Sequence, residues 1–259
     1  MAAKTLRLVS LNTWKCDGQY GQRLQAMQDQ LKLLDPDVLL LQEVFALPHG
    51  APDTALALAR HLGLHCTAAP TRRKLRQFQG RWVDSFSGMA VLSRRAPTRV
   101  ATLSLPSTTA DGGRVAQWCL IPTPGAPLLV GNVHLTHLRQ ASALRAQQLQ
   151  SMLEHSLFQQ RSGTALLAGD FNASLAAPEL QALMAAPWNL RSAFAPQPPK
   201  VTHTTDAGQG LDLDHILLAP GPRGAYATVV QAQLVLDGLQ PRSTQRVSDH
   251  AGVAVTLAV

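Results

Sequence analysis

DVLLLQEVF, residues 37–45, is an apolar run interrupted only by Gln42 and Glu43 between its first residue and its last. A strand with one wet face alternates apolar and polar side chains. A strand apolar on both parities is buried on both faces, as in a sheet covered by helices. Upstream, Leu24, Met27, Leu31 and Leu34 recur at helical spacing within 21–34. Asp35-Pro36 ends that helix, because the residue before proline is pushed out of the α region. Further upstream, TLRLVSL (5–11) alternates like a half-buried strand. Downstream, 53–62 reads as a helix, 71–82 as a basic irregular stretch and GMAVLSR (88–94) as another buried strand. VAQWCLI (115–121) and PLLVGNVHL (127–135) are shorter strands, and a helix from about Ala141 to Gln159 leads through Ser162-Gly163 into TALLAGD (164–170). The Pro-rich 195–200 segment and Gly208-Gln209-Gly210 are loops. LDLDHILLA (211–219) and AGVAVTLAV (251–259) are strands. Strands alternating with helices predict an α/β sandwich-type enzyme fold, and with neither repeat nor linker in view residues 1–259 are expected to form one domain.

Composition narrows the class. The 259 residues are 46% hydrophobic, with a mean hydropathy near zero, which excludes a disordered chain. No apolar run approaches the roughly 20 residues of a membrane span. The start, MAAKTLRLVSLNTW, enters a strand at once and shows no secretory signal, so a soluble, cytoplasmic protein is expected. Cys16, Cys66 and Cys119 are odd in number and widely spaced, which argues against a disulfide framework or a zinc site. A net charge of +7 points to an acidic substrate or partner, although 18 of the 23 basic residues are Arg and only three acids are Glu, a skew that base composition alone can produce.

The acids are few, yet they collect at strand ends. Glu43 ends VLLLQE, Asp170 ends ALLAGD, Asp212 and Asp214 lie in LDLDHILL, and Asp249 precedes the closing strand. A buried carboxylate needs a cation or donors. Converging at one rim of an α/β sheet, such groups make an oxygen-rich site suited to Mg²⁺ or Mn²⁺. His134 and His137 in GNVHLTHL, and His250 beside Asp249, fall in the same places, and an acid–histidine couple can hold a charged imidazole. Asn12 and Asn172 add neutral groups able to orient an oxygen. GxSxG, GxxxxGK[ST] and HExxH are all missing. The chemistry must therefore come from carboxylates, histidines and a metal.

Seven short motifs stand in order: N12-T-W14, Q42-E43-V-F, G88-M-A-V-L-S-R94, N132-V-H134-L, G169-D-F-N172, L213-D-H-I216 and S248-D-H250. This series resembles the endonuclease/exonuclease/phosphatase superfamily, the fold of DNase I, apurinic endonucleases, neutral sphingomyelinases and inositol-polyphosphate 5-phosphatases. The resemblance implies a four-layer αββα sandwich, two packed mixed β-sheets flanked by helices, with the site at one end. It implies Mg²⁺, or Mn²⁺ in its place, on Glu43 with Asn12 and Asp249 near the ion. Asp170 would orient or deprotonate the attacking water. Asn172 would hold the scissile phosphate, and His250, kept protonated by Asp214, would stabilise its developing charge. His134 would contact phosphate or the leaving oxygen.

Where many family nucleases have Asn-x-Asp, this chain has Asn12-Thr13-Trp14, so a second acidic ligand is missing. Asp214 fits the motif register; Asp212, two residues earlier on the same strand face, is the alternative. His137 is read as helix-start or structural and Trp14 as core. The segment from Arg72 to Trp82 holds five positive charges in ten residues, with Phe78 and Trp82 interleaved. Arg72, Arg73, Lys74 and Arg76 are the expected phosphate grip, with Arg242 and Arg246 adding charge before S248-D-H250. The expected activity is Mg²⁺-dependent hydrolysis of a phosphodiester by in-line attack of water, on nucleic acid first, by a monomer without integral membrane association. A sphingomyelinase-like phospholipid phosphodiesterase is the alternative, weakened by the lack of an evident aromatic-rich hairpin for a bilayer. A small phosphomonoester phosphatase and a non-catalytic scaffold follow.

Overall fold

In the computed structural model, which describes residues 5–198, 200–238 and 246–259, the 37–45 run lies within a strand whose residues Val38 to Leu41 are wholly buried. In chain order the first elements are β1 (Thr5–Asn12), α1 (Tyr20–Leu34), β2 (Val38–Leu47), β3 (Gly50–Asp53), α2 (Thr54–Leu62), β4 (His65–Phe78) and β5 (Arg81–Ser93). Next come β6 (Arg99–Leu105), β7 (Arg114–Ile121), β8 (Leu128–His134), α3 (Ser142–Glu154), α4 (Ser156–Gln159), β9 (Ala165–Asp170) and α5 (Pro178–Met184). The last are β10 (Arg191–Ser192), β11 (His203–Thr204), β12 (Gly210–Leu211), β13 (Asp214–Ala219), β14 (Thr228–Val235) and β15 (Gly252–Ala258).

One sheet runs β14-β15-β1-β2-β5-β4, with β3 beside β2, and the other β10-β13-β9-β8-β7-β6. Both are mixed: β1–β2 and β8–β9 are parallel, and the other pairs are antiparallel. Leu8, Leu40 and Val255 of the first sheet meet Val130, Leu166 and Ile216 of the second in a shared core. The opposite parity, Val9, Leu39 and Leu41, packs on Met27 and Leu31 of α1 and Leu58 of α2. On the far side, Trp118, Leu129 and Leu167 pack on Leu149 and Met152 of α3 and Leu180 of α5. That is the αββα sandwich, and it explains why the central strands are apolar on both parities.

Three sequence readings change. The single strand expected over 211–219 divides: Leu211 pairs with His203 as part of β12, and β13 begins only at Asp214. Residues 71–82 are not irregular: they are the outer halves of β4 and β5, paired from Arg72↔Ser87 to Phe78↔Arg81. The hairpin turns at Gln79-Gly80, both with positive φ, as a type I′ turn requires. Its outer strands are solvated and charged, so they lack the apolar alternation that announces a strand. The helix expected over 141–159 breaks at His155, whose extended backbone separates α3 from α4 and whose ring nitrogen accepts from Leu157 N. Among the described residues no helix is long and apolar enough to cross a membrane.

Gly169 shows why one motif position tolerates no side chain. Its φ is 144°, and a Cβ there would collide with the Val133 carbonyl oxygen on β8. Gly169→Ala is expected to cost more than about 3 kcal/mol, at the severe end for point substitutions, in urea unfolding. A loss under 1 kcal/mol would contradict this packing.

Candidate active site

β1, β8 and β9 end where β13 and β15 begin, because the latter two run antiparallel to their neighbours. The register places Asp214 opposite Asp170, and Asp170 opposite His134. Glu43 arrives differently. The β2–β5 pairing slips between Leu41 and Val44, and Glu43 sits in that bulge with φ 54°. Thr13 Oγ1 donates to the carbonyls of Gln42 and Glu43, each at 3.0 Å, which holds the bulge. The bulge re-aims the side chain out of the sheet.

A cleft of about 600 Å³ opens over this rim and is lined by Asn12, Glu43, His134, Asp170, Asn172, Asp249 and His250. Asp170 is the hub. Its Oδ1 accepts from Asn172 N at 2.9 Å, and its Oδ2 accepts from Asn12 Nδ2 at 3.0 Å. His134 Nε2 lies 3.6 Å and His250 Nε2 4.0 Å from the same Oδ2. His250 Nδ1 is 2.7 Å from Asp214 Oδ2, behind the cleft, where Thr202 Oγ1 fixes the Asp214 backbone by accepting from its N–H at 3.1 Å. Asp212 lies outside β13 and instead accepts from Ser174 Oγ and Leu175 N. The two acids therefore do not share a strand face.

Burial, and then the nearby Asp214 carboxylate, push Asp170 up to about 7. Burial opposes a charged His250, but Asp214 and Asp170 outweigh it and raise this histidine to about 10. Burial, with Arg114 and Lys15 adding like charge, pushes His134 well below the ordinary imidazole range. One histidine is held as a cation, the other neutral. Burial also raises Asp249, opposed by His250 and reinforced by Glu43.

The oxygens of Glu43 and Asp249 are hard donors whose mutual repulsion a divalent cation would relieve, and Asn12 Oδ1, accepting from Trp14 N at 3.0 Å, keeps a second lone pair. The residues present thus fit such an ion. Among the described residues the tightest ligand-atom clusters are Asp170–Asp214–His250 and His203–Asp249–His250. Both contain His250, whose Nδ1 is already committed to Asp214, so the Glu43 side of the cleft suits a metal better.

The outlying assignments separate. Arg72, Lys74 and Arg76 line the cleft on one face of β4, and Arg76 is braced by Ser85 Oγ and Ser87 Oγ at 2.9 and 3.0 Å. Arg73 falls on the other face, held by Asp84 through Nε at 2.7 Å. Arg246 lines a separate depression behind His250, and Arg242 lies outside the described residues. Trp14 is not core: it lines the cleft under the Arg23 guanidinium, 4.8 Å from its ring centre. His137 does not start a helix either; its Nδ1 is 2.7 Å from Arg114 Nη2, on the cleft wall with Asp111. Lys15, Asp111 and Arg114 escaped the sequence reading, since none lies at the end of an apolar run.

Residues 9–250 match the sequence model of the Endonuclease/Exonuclease/phosphatase family. The chain belongs to that family and is, with it, a metal-dependent hydrolase acting on phosphate esters. Among solved structures it resembles an endonuclease/exonuclease/phosphatase family protein from Leptotrichia buccalis C-1013-b, at 15% identity and a TM-score of 0.76 over 98% of this chain and 100% of that one. It also resembles a humanized D. rerio TDP2 carrying 14 mutations, at 20% identity and a TM-score of 0.74 over 98% and 99%. A third likeness is D. rerio TDP2 complexed with single strand DNA product, at 18% identity and a TM-score of 0.75 over 99% and 100%. No curated protein matches the sequence.

Proposed function

We propose that residues 1–259 act as one Mg²⁺-dependent phosphodiesterase domain that cleaves nucleic acid. The observation that carries this reading is the basic face of the β4–β5 hairpin, Arg72, Lys74 and Arg76, forming a wall of the cleft that contains Asp170 and His250. A fold shared with a TDP2 whose structure holds a single strand DNA product is consistent with it.

Glu43, with Asn12 and Asp249, would hold the cation, which when bound would draw charge from the phosphoryl oxygens and the leaving oxygen. Asp170 takes the proton of the attacking water; a carboxyl raised to about 7 is a base suited to neutral pH. Asn12 and Asn172 hold its two oxygens in one orientation. His250, kept charged by Asp214, directs Nε2 toward the cleft to donate to a non-bridging oxygen as charge builds there. Neutral His134 donates to phosphate or the leaving oxygen. Asn172 gives one amide hydrogen to Leu135 O at 3.0 Å and keeps the other for the phosphate.

The hairpin also supports a second reading. Leu75 and Trp82, on one face of the hairpin, are 59% and 69% exposed, and two such apolar side chains would suit a phospholipid surface. Salt dependence separates the two. Changing Arg72, Lys74 and Arg76 together to Ala should flatten the log–log salt slope of single-stranded DNA or RNA binding by up to about 2, at roughly 0.7 per phosphate. Arg73→Ala, on the far face, should leave it unchanged. Hydrolysis of bis-p-nitrophenyl phosphate should survive the triple change and disappear with EDTA. An unaltered DNA slope with lost binding to sphingomyelin vesicles would replace the nuclease reading by the phospholipid one.

A further inference from the structure

Trp14 and Lys15 are consecutive non-glycine residues in the left-handed region, with φ of 55° and 42°. Such placements persist only where the surroundings over-determine them, and they concentrate at functional sites. Here the clamp is Arg23. Only 1% exposed, it donates to the carbonyls of Thr13, Trp14, Lys15, Asp17 and Val247 at 2.9–3.1 Å. Lys15 N donates in turn to the Glu43 carbonyl at 3.1 Å. The backbone of Lys15 is thereby tied to the bulge that aims Glu43, and only its side chain remains free to move.

That side chain lies in the cleft, 30% exposed, with Nζ 2.7 Å from Glu43 Oε2. Glu43 Oε1 faces His134 Nε2 at 3.9 Å, too far for a hydrogen bond. The lysine ammonium therefore sits on the carboxylate assigned above to the divalent ion. A lysine on a flexible four-carbon stem can leave such a partner without moving its backbone.

We propose that Lys15 is an exchangeable internal cation, which competes with the divalent ion for Glu43 and, once displaced, engages the substrate's phosphate. This rests on the reading of Glu43 as a metal ligand. The two equilibria are linked: phosphate draws Lys15 off Glu43 and tightens metal binding, and metal frees Lys15 and tightens phosphate binding by the same factor. A brace that only supported the loop would weaken both ligands when removed. Competition changes them in opposite directions.

The experiment measures Mn²⁺ binding by electron paramagnetic resonance, and inorganic phosphate binding to the Mn²⁺-loaded protein by calorimetry, in the parent, K15M, K15R and E43Q. K15M should bind Mn²⁺ about fivefold tighter, the worth of a partly exposed ion pair. It should bind phosphate more weakly by at least a similar factor, while K15R stays near the parent in both. Should K15M fail to fold, K15Q makes the same comparison. Mn²⁺ affinity that is unchanged or lower in K15M, or phosphate affinity that is unchanged, overturns the proposal. If E43Q loses Mn²⁺ while K15M is indifferent, the proposal alone falls. If E43Q binds Mn²⁺ like the parent, the assignment of Glu43 falls and takes the proposal with it.

Discussion

Asp170→Asn should lower kcat by about a thousandfold or more, because on the proposed mechanism it removes the group that accepts the water's proton while keeping a side chain of the same shape. His250→Ala should cost a comparable factor. The double variant should be little worse than the poorer single one, since in the proposed mechanism the base that deprotonates water and the cation that receives the developing charge serve one step. The geometry supports this coupling: His250 Nε2 and Asp170 Oδ2 are 4.0 Å apart, and Asp214 lies close enough to both to raise each. Single-turnover kinetics on a nitrophenyl diester, with thermal unfolding as a control for folding, would measure it. Losses that multiply cleanly would mean that the two residues serve separate steps.

Glu43→Gln is expected to abolish most Mg²⁺ and Mn²⁺ affinity and to lower the rate at least roughly a hundredfold, with the fold intact. The amide fits the same bulge but lacks the charge that a hard cation requires. Because Glu43 reaches the cleft through a bulge held by Thr13, its backbone position should survive the change. Rate measured against Mg²⁺ concentration distinguishes lost affinity, which high Mg²⁺ rescues in part, from lost structure, which it does not. Full activity at low Mg²⁺ would refute the assignment.

Much of the site was legible because its residues interrupt apolar runs. Glu43, Asp170 and Asp214 each stand out in a stretch that is otherwise core, where an ionised group needs a reason to be present. The basic hairpin was visible as charge but not as structure. A solvated two-stranded ribbon carries no buried face, so β4 shows neither alternation nor a continuous apolar run. The division of Arg73 from Arg72, Lys74 and Arg76 is a consequence of strand pleat, which an irregular loop would not impose. Lys15, Asp111, Arg114 and Arg23 left no local mark.

By itself the sequence determined the layered α/β architecture, the family, and the rim at which the acids and histidines gather. Each of these is written in short-range patterns: parity along a strand, helical spacing, and short motifs standing in a fixed order. Tertiary structure alone decided which groups meet. Asp170 and Asn12 are hydrogen-bonded across 158 positions of chain. Asp214 was separated from Asp212 because strand β13 begins between them, leaving one acid on His250 and the other on the Ser174 turn. A charged His250 and a neutral His134 face the same carboxylate because burial and neighbouring charges act over a few ångströms of space, which no local spacing in the chain encodes.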